Sequence, residues 1–245
     1  MLKLIQPISK KDQVVLTIKE AILSGRFAPG AQLVESKIAQ QLGTGIPLVR
    51  EALIELEHQG FVQKTPYKGT TVTELGPKEI GKMFQLRGEL EALAVVWAKE
   101  NAGAEDVAEL GALIRRMEQA AAEHNPEQFC EADLAFHRKV WELSRNPYLV
   151  DALERVVVPL FAFSVMKFRR ERGEYEESAR LHAKIVEALP AMSAGYLRDL
   201  MKGLVGCWKD EMLEPLLSAD KSADKSANKS EVKSGDTEES GGPYS

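Results

Sequence analysis

Apolar Val14, Val15, Ile18, Ala21 and Ile22 recur at intervals of three and four, which predicts an amphipathic helix over residues 11–24 that stops at Gly25. Ala28-Pro29-Gly30 reads as a turn. Ile38, Ala39 and Leu42 mark a short second helix over 35–42, closed by Gly43, and Val49, Ala52, Leu53 and Leu56 stripe a third over 46–59. Pro47 suits the first turn of that third helix, where its missing N–H has no intrahelical partner to lose. The period then changes: residues 61–64 and 70–73 flank a turn at 66–69 and read as a small β-hairpin. Three helices ending in a hairpin outline a winged helix-turn-helix over residues 1–75, a pattern that a generic small α+β module also shares.

From Pro77 onward the pattern is helical throughout. Spans of 78–101, 104–123, 127–145, 147–171, 175–189 and 193–214 are expected, separated at Asn101-Ala102-Gly103, Asn125-Pro126, Asn146-Pro147, Gly173 and Leu189-Pro190. Pro159 should kink the fourth span, because it lacks a backbone donor and clashes with the preceding turn. Short connections argue for an antiparallel bundle of six or seven helices over residues 76–217, so the fold class is mainly α. Residues 218–245 form a degenerate Ser-Ala-Asp/Asn-Lys repeat with almost no apolar content and are expected to be disordered.

Composition adds limits rather than direction. With 44% apolar and 28% charged residues, the chain is an ordinary globular one carrying a formal charge of −5. The charge is uneven: residues 1–73 carry +3, residues 218–245 carry −2, and the stretch between holds −6. A uniformly basic nucleic-acid coat is excluded, but a locally basic head is not. No uncharged run approaches the ~20 residues that span a bilayer, and the strongly apolar run at residues 156–166 is interrupted by Pro159. The N-terminal stretch lacks the ~7–15-residue apolar core of a secretory signal, so no membrane association and a cytoplasmic location are expected. Two cysteines suit a reducing compartment, and four histidines leave little room for a multi-histidine centre.

Two motifs carry more than pattern. Leu33-Val34-Glu35-Ser36-Lys37-Ile38-Ala39, followed by Leu42-Gly43 and then Val49-Arg50-Glu51-Ala52-Leu53, closely resembles the DNA-binding head of GntR-family transcriptional regulators. The body resembles the all-helical effector-binding domain of their FadR-type (FCD) subgroup through Leu86-Arg87, Leu90-Glu91-Ala92, Asp133, Phe136-His137, Asn146-Pro147 and His182. A recognition helix must leave one face free for base edges and dock the other on the helices before it. Arg50 projects from that helix, Lys64 and Lys68 flank the wing turn, and Gly69 lets the wing backbone turn tightly. The bland reading of Arg50 is a surface pair with a nearby Glu. The resemblance adds Ser36 and Thr44 as phosphate contacts. GntR relatives open the recognition helix with a small polar residue, an Arg and a Thr, whereas this chain reads Thr44-Gly45-Ile46-Pro47-Leu48. No guanidinium stands at position 46 to read guanine, which leaves Ile46 or Leu48 against a thymine methyl, or readout of DNA shape.

In the body, Asp133 and His137 are four residues apart on one helix and share a face, a spacing suited to two ligands of one divalent cation. The resemblance implies His182 as a third ligand of a zinc, nickel or manganese ion and places the missing fourth protein ligand near Leu204. Cys207, one turn on, is a conceivable substitute, and Cys130, one turn before Asp133, could approach the same pocket. The plainer reading of the trio is a hydrogen-bonded set across the bundle. Arg87 sits on an apolar helix face, where its guanidinium would take a carboxylate effector or an interhelical carboxylate. Phe129, Phe136, Trp141, Phe161, Phe163 and Trp208 fall at helical spacing and are assigned to the core.

The leading functional expectation is a ligand-responsive regulator that binds a double-stranded DNA operator, acts as a repressor and senses a small organic acid. It should work as a homodimer, since one short recognition helix makes too few contacts. The alternatives are a metal-dependent helical enzyme using Asp133, His137 and His182, and a dimeric scaffold indifferent to DNA. No G-x-S-x-G, glycine-rich phosphate loop or CxxC pair accompanies the trio, so no catalytic residue is assigned.

Overall fold

Ser9 starts the first helix: its hydroxyl accepts the Asp12 N–H at 3.1 Å, satisfying one of the donors that a helix start leaves open. In this computed structural model the backbone is described over residues 9–167 and 172–234, and side chains over the same ranges except residue 172 and residues 217–234. Helix α1 (Lys10–Leu23) packs its stripe of Val14, Val15, Ile18 and Ile22 on α3 (Ile46–His58), which buries Val49, Ala52, Leu53 and Leu56. Between them α2 (Glu35–Leu42) adds Ile38 and Ala39 and ends at Gly43, whose φ of +60° is the left-handed cap that glycine adopts without strain.

Strands β1 (Val62–Thr65) and β2 (Gly69–Val72) pair antiparallel, with Val62 opposite Val72 and Thr65 opposite Gly69. Each strand sits one residue from its expected place, because the Lys68 N–H closes the turn on the Thr65 carbonyl at 3.1 Å. The segment after α1 joins this wing: Gln32 bridges Thr71, and the Leu33 N–H meets the Thr70 carbonyl at 2.9 Å.

The body consists of α4 (Pro77–Asn101), α5 (Ala104–Ala122), α6 (Pro126–Leu143), α7 (Pro147–Lys167), α8 (Arg172–Ala191) and α9 (Ala194–Ser234). Helix α4 packs along α6, α7 and α9, while α5 packs along α6 and α8. Asn125 caps α6 by accepting the Gln128 N–H at 3.1 Å, directly ahead of Pro126. Phe129, Phe136, Trp141, Leu153, Leu160 and Phe163 fill the middle. Among the described residues, no helix is long and apolar enough to cross a membrane.

Two expectations change, and a third falls partly outside the described residues. Helix α8 does not end before Pro190 but carries it in the last turn, where proline removes a single backbone hydrogen bond. Helix α7 runs through Pro159 as one element, and the expected end of this span, at 168–171, lies outside the described residues. The backbone of α9 continues helical to Ser234, through most of the stretch expected to be disordered; residues 235–245 lie outside the described residues. Extension from the packed part of α9 avoids the cost of a new helix nucleus.

The head docks on the body at α7. Ala162 belongs to the head's apolar cluster, and a Cβ at Gly60 would lie 2.8 Å from the Val158 carbonyl oxygen and 3.0 Å from Pro159 Cα. Lys19 spans the same joint, 2.6 Å from Glu127 and 3.6 Å from Glu131, with its ammonium 5.0 Å from the Phe61 ring centroid. A cavity of about 290 Å³ remains there, lined by Phe61, Cys130, Leu134, Phe161 and Val165 among others.

Candidate nucleic-acid interface and buried cavity

The helix-turn-helix presents Ser36, Arg50, Lys64, Lys68 and Gly69 to solvent, with Thr44 half-buried. The Arg50 guanidinium is not free. It donates to Glu35 from Nη2 at 2.7 Å and from Nε at 3.1 Å, while its side chain stays 61% exposed. The hydrogen bond from Arg50 holds the Glu35 carboxyl below its usual value, and nearby Lys64 acts in the same direction. Glu35 and Lys64 line one groove with Tyr67 and Gly69, so α2 and the wing frame a common surface. At the wing tip, Gly69 has φ +77° and Tyr67 has φ +64°, a conformation that exposes the whole Tyr67 side chain.

Ile46 and Leu48 separate in the structure. Leu48 is half-buried and packs against the head's core, whereas Ile46 is 41% exposed at the first turn of α3. Gly45, the residue before that turn, supplies no side-chain cap.

The second site lies inside the body. Asp133 and His137 on α6 meet His182 on α8, and all three are buried. Asp133 Oδ1 is 3.3 Å from His137 Nε2 and 3.0 Å from His182 Nε2, and the two Nε2 atoms are 3.3 Å apart. Their far nitrogens are already committed: His182 Nδ1 donates to the Ser178 carbonyl at 2.7 Å, and His137 Nδ1 donates to Glu91 Oε2 at 3.0 Å. In the neutral tautomers that these bonds select, both Nε2 atoms lie beside Asp133 Oδ1, and that of His137 also accepts from Arg87 Nη2 at 3.0 Å. Among the described residues, nothing gives the buried Asp133 Oδ1 a directed hydrogen bond. An orphaned carboxylate oxygen beside two imidazole lone pairs is a donor set that fits a divalent cation such as zinc, nickel or manganese.

Arg87 and Glu91 complete the network. Glu91, fully buried on α4, accepts from Arg87 Nε at 3.0 Å, from His137 Nδ1, and from Trp141 Nε1 at 2.8 Å. Burial pushes its pKa up, but His137 and Arg87 overcome this and hold it near 2. Burial likewise raises Asp133, and the two histidines more than offset it, leaving its pKa lowered. For His137 burial acts downward, yet Glu91 and Asp133 bring the pKa above the ordinary imidazole value despite Arg87. The cluster therefore favours one added positive charge, whether a proton on His137 or a metal ion among the three ligands. A bound metal would displace the proton.

The Arg87 guanidinium is 1% exposed and lies 4.6 Å from the Trp208 ring, 5.3 Å from Phe161 and 5.8 Å from Phe84. Nη2 reaches His137 Nε2 at 3.0 Å, while Nη1 has no hydrogen-bond partner among the described residues. A cavity of about 190 Å³ opens on these groups, lined by Arg87, Asp133, His137, His182, Leu204 and Trp208. Arg87 thus makes its ion pair within its own helix, hydrogen-bonds across to His137 on α6, and still lines the cavity. Leu204 stands at the cavity wall, with Cys207 beside it. Cys130 does not approach this cavity; it lines the one at the head–body joint, because its position on α6 faces α1 and α7.

Glu91, Trp141, Phe161 and Trp208 are the participants that sequence reasoning did not assign. The signal for Glu91 was present: Ile80, Phe84, Arg87, Glu91, Val95 and Ala98 share one face of α4, and an ionisable pair on an otherwise apolar stripe needs an internal partner.

Comparison with known proteins gives a consistent picture. Residues 10–72 match the family "Bacterial regulatory proteins, gntR family", and residues 82–205 match the FCD domain. The HTH-type transcriptional regulator McbR of Escherichia coli is 33% identical over 146 residues, covering 60% of this chain and 66% of that protein. The galactonate operon transcriptional repressor of the same organism is 24% identical over 176 residues, covering 61% of this chain and 76% of that one. Among solved structures, that of E. coli McbR/YncC superposes with a TM-score of 0.63 at 28% identity, covering 82% of this chain and 95% of the other.

Proposed function

Because this chain belongs to the gntR family of bacterial regulatory proteins and carries an FCD domain, we propose how it carries out its work as a transcriptional regulator. Its relatives are DNA-binding regulators rather than enzymes, and the enzyme reading is set aside. Residues 1–75 bind a double-stranded operator as one head of a homodimer in the cytoplasm, through Ser36, Thr44, Arg50, Lys64, Lys68 and Gly69. Residues 76–217 bind a small organic acid, and a relative named for a galactonate operon supports a sugar acid as its class. The acid's carboxylate meets Arg87. Effector binding favours one arrangement of the heads and relieves repression by its differential affinity for the two arrangements.

The observation that carries this reading is the convergence on one cavity of the Asp133–His137–His182 trio and a buried Arg87 Nη1 that has no hydrogen-bond partner among the described residues. Asp133, His137 and His182 would hold a divalent cation, which supplies an open coordination position to oxygen ligands. Glu91 fixes the ring of His137, Ser178 fixes that of His182, and Leu181, Leu204 and Trp208 exclude water. Elemental analysis of purified protein should find about one divalent ion per chain. His137→Ala should lose it, and Leu204→His should slow its removal by a chelator. Equal metal in the parent and His137→Ala would remove the ion from this account.

DNA binding is tested by mobility shift on DNA upstream of the chain's own gene across a series of salt concentrations. Log affinity should fall linearly with log salt, and replacing one lysine, at 64 or 68, removes a phosphate contact from each head of the dimer and should lower the slope by about 1.8. Retardation insensitive to salt, or none at all, would contradict the reading.

A further inference from the structure

The exposed face of α3 carries Ile46, Pro47, Arg50, Glu51 and Ile54. Ile46 and Ile54 are each 41% exposed and stand about two turns apart on that face. The first turn, Ile46-Pro47-Leu48, offers no side-chain donor or acceptor, and Leu48 is turned toward the core. The first polar side chain, Arg50, lies one turn further on and is clamped to Glu35 by hydrogen bonds of 2.7 and 3.1 Å. A guanidinium held in that fork has fewer donors free for a base edge, and is better placed to meet phosphate.

Of the groups presented in the major groove, only the C5 methyl of thymine is apolar. We propose that Ile46 is a specificity-determining residue that reads a thymine methyl at each operator half-site, in place of a hydrogen-bonding contact to guanine. The inference rests on the head being the DNA-binding surface described above. On this basis the positions facing the first turn of α3 are A·T pairs, and their orientation matters, because the methyl stands on one strand only. Arg50, Lys64 and Lys68 supply the sequence-independent part, and Ile46 supplies the discrimination.

The test uses the full-length protein and duplexes selected from a random-sequence library. In the selected duplex each thymidine is replaced in turn by deoxyuridine, which removes the methyl and leaves the hydrogen-bonding edges unchanged. One position per half-site should then weaken binding by about three- to tenfold for the parent protein. For Ile46→Ala, affinity for the thymidine duplex should drop by a similar factor, and deoxyuridine at that position should cost nothing more. Circular dichroism of the variant controls for folding. If deoxyuridine is neutral throughout, or the penalty persists unchanged in Ile46→Ala, the assignment of Ile46 is overturned while DNA binding stands. If no duplex is retained by the parent, the DNA-binding reading itself fails.

Discussion

Glu91→Leu destabilises the protein by about 3–5 kcal/mol, the range seen when one partner of a buried ion pair is removed. The carboxylate takes hydrogen bonds from Arg87 Nε, His137 Nδ1 and Trp141 Nε1, and every one of these groups is buried. Leucine fills much of the volume but leaves the Arg87 Nε–H, the His137 Nδ1–H and the Trp141 indole N–H without an acceptor. Arg87 suffers most, since its Nη1 already has no hydrogen-bond partner among the described residues. Thermal unfolding followed at 222 nm should show a fall of about 10 °C. In the double variant Arg87→Met with Glu91→Leu, much of that loss should return, because both charges leave together. A loss below about 1 kcal/mol for the single variant would mean that the network contributes little.

The acid response of this site follows from the same carboxylate. The pKa of Glu91 is lowered from 4.5 to about 2, so its contribution is complete above the unfolded value and is lost only as pH falls from 4.5 through about 2.

The second large effect belongs to the joint. Gly60 combines a φ of +76° with a space in which any Cβ would press on the backbone of α7 at Val158 and Pro159. The left-handed conformation costs a residue with a Cβ about 1–2 kcal/mol, and overpacking against backbone adds about 1–3 kcal/mol. The molecule can escape the second part by letting the head lift from α7. Gly60→Val should therefore loosen docking more than it unfolds either half. The readout is Cys130, half-buried in the joint cavity: a thiol reagent should modify it faster in Gly60→Val than in the parent. Gly60→Asn separates the two causes, because asparagine tolerates the left-handed region but still carries a Cβ. If the Asn variant matches the parent in Cys130 reactivity, close packing is not what holds the joint.

The sequence made the elements legible for a simple reason. Helical stripes such as Val49, Ala52, Leu53 and Leu56 and the change of period at Phe61 are local signals, and the structure places helix and strand where they indicate. The pairing of Asp133 with His137 was equally local, being set by one turn of α6, while His182 came from resemblance and arrives from α8. What escaped was tertiary. Nothing near Glu91 in the chain says that Trp141, fifty residues on, will donate to it. Trp208 and Phe161 looked like core and are core, yet they also stack around Arg87, because one aromatic ring can serve both roles. Arg50 projected as expected, and its partner Glu35 was visible in the sequence, but only the angle between α2 and α3 brings the two together.

Gly60 also limits how this architecture can be recombined. A foreign head grafted onto this body inherits the surface of α7 around Pro159, and its own turn after the third helix must lie flat on that surface. Heads with a larger residue at the equivalent position would press on the backbone of α7 and sit askew on the body even though both halves folded. In building hybrid sensors from this chain, the boundary belongs ahead of neither domain alone: Gly60 and the Val158–Ala162 turn should be exchanged as a pair.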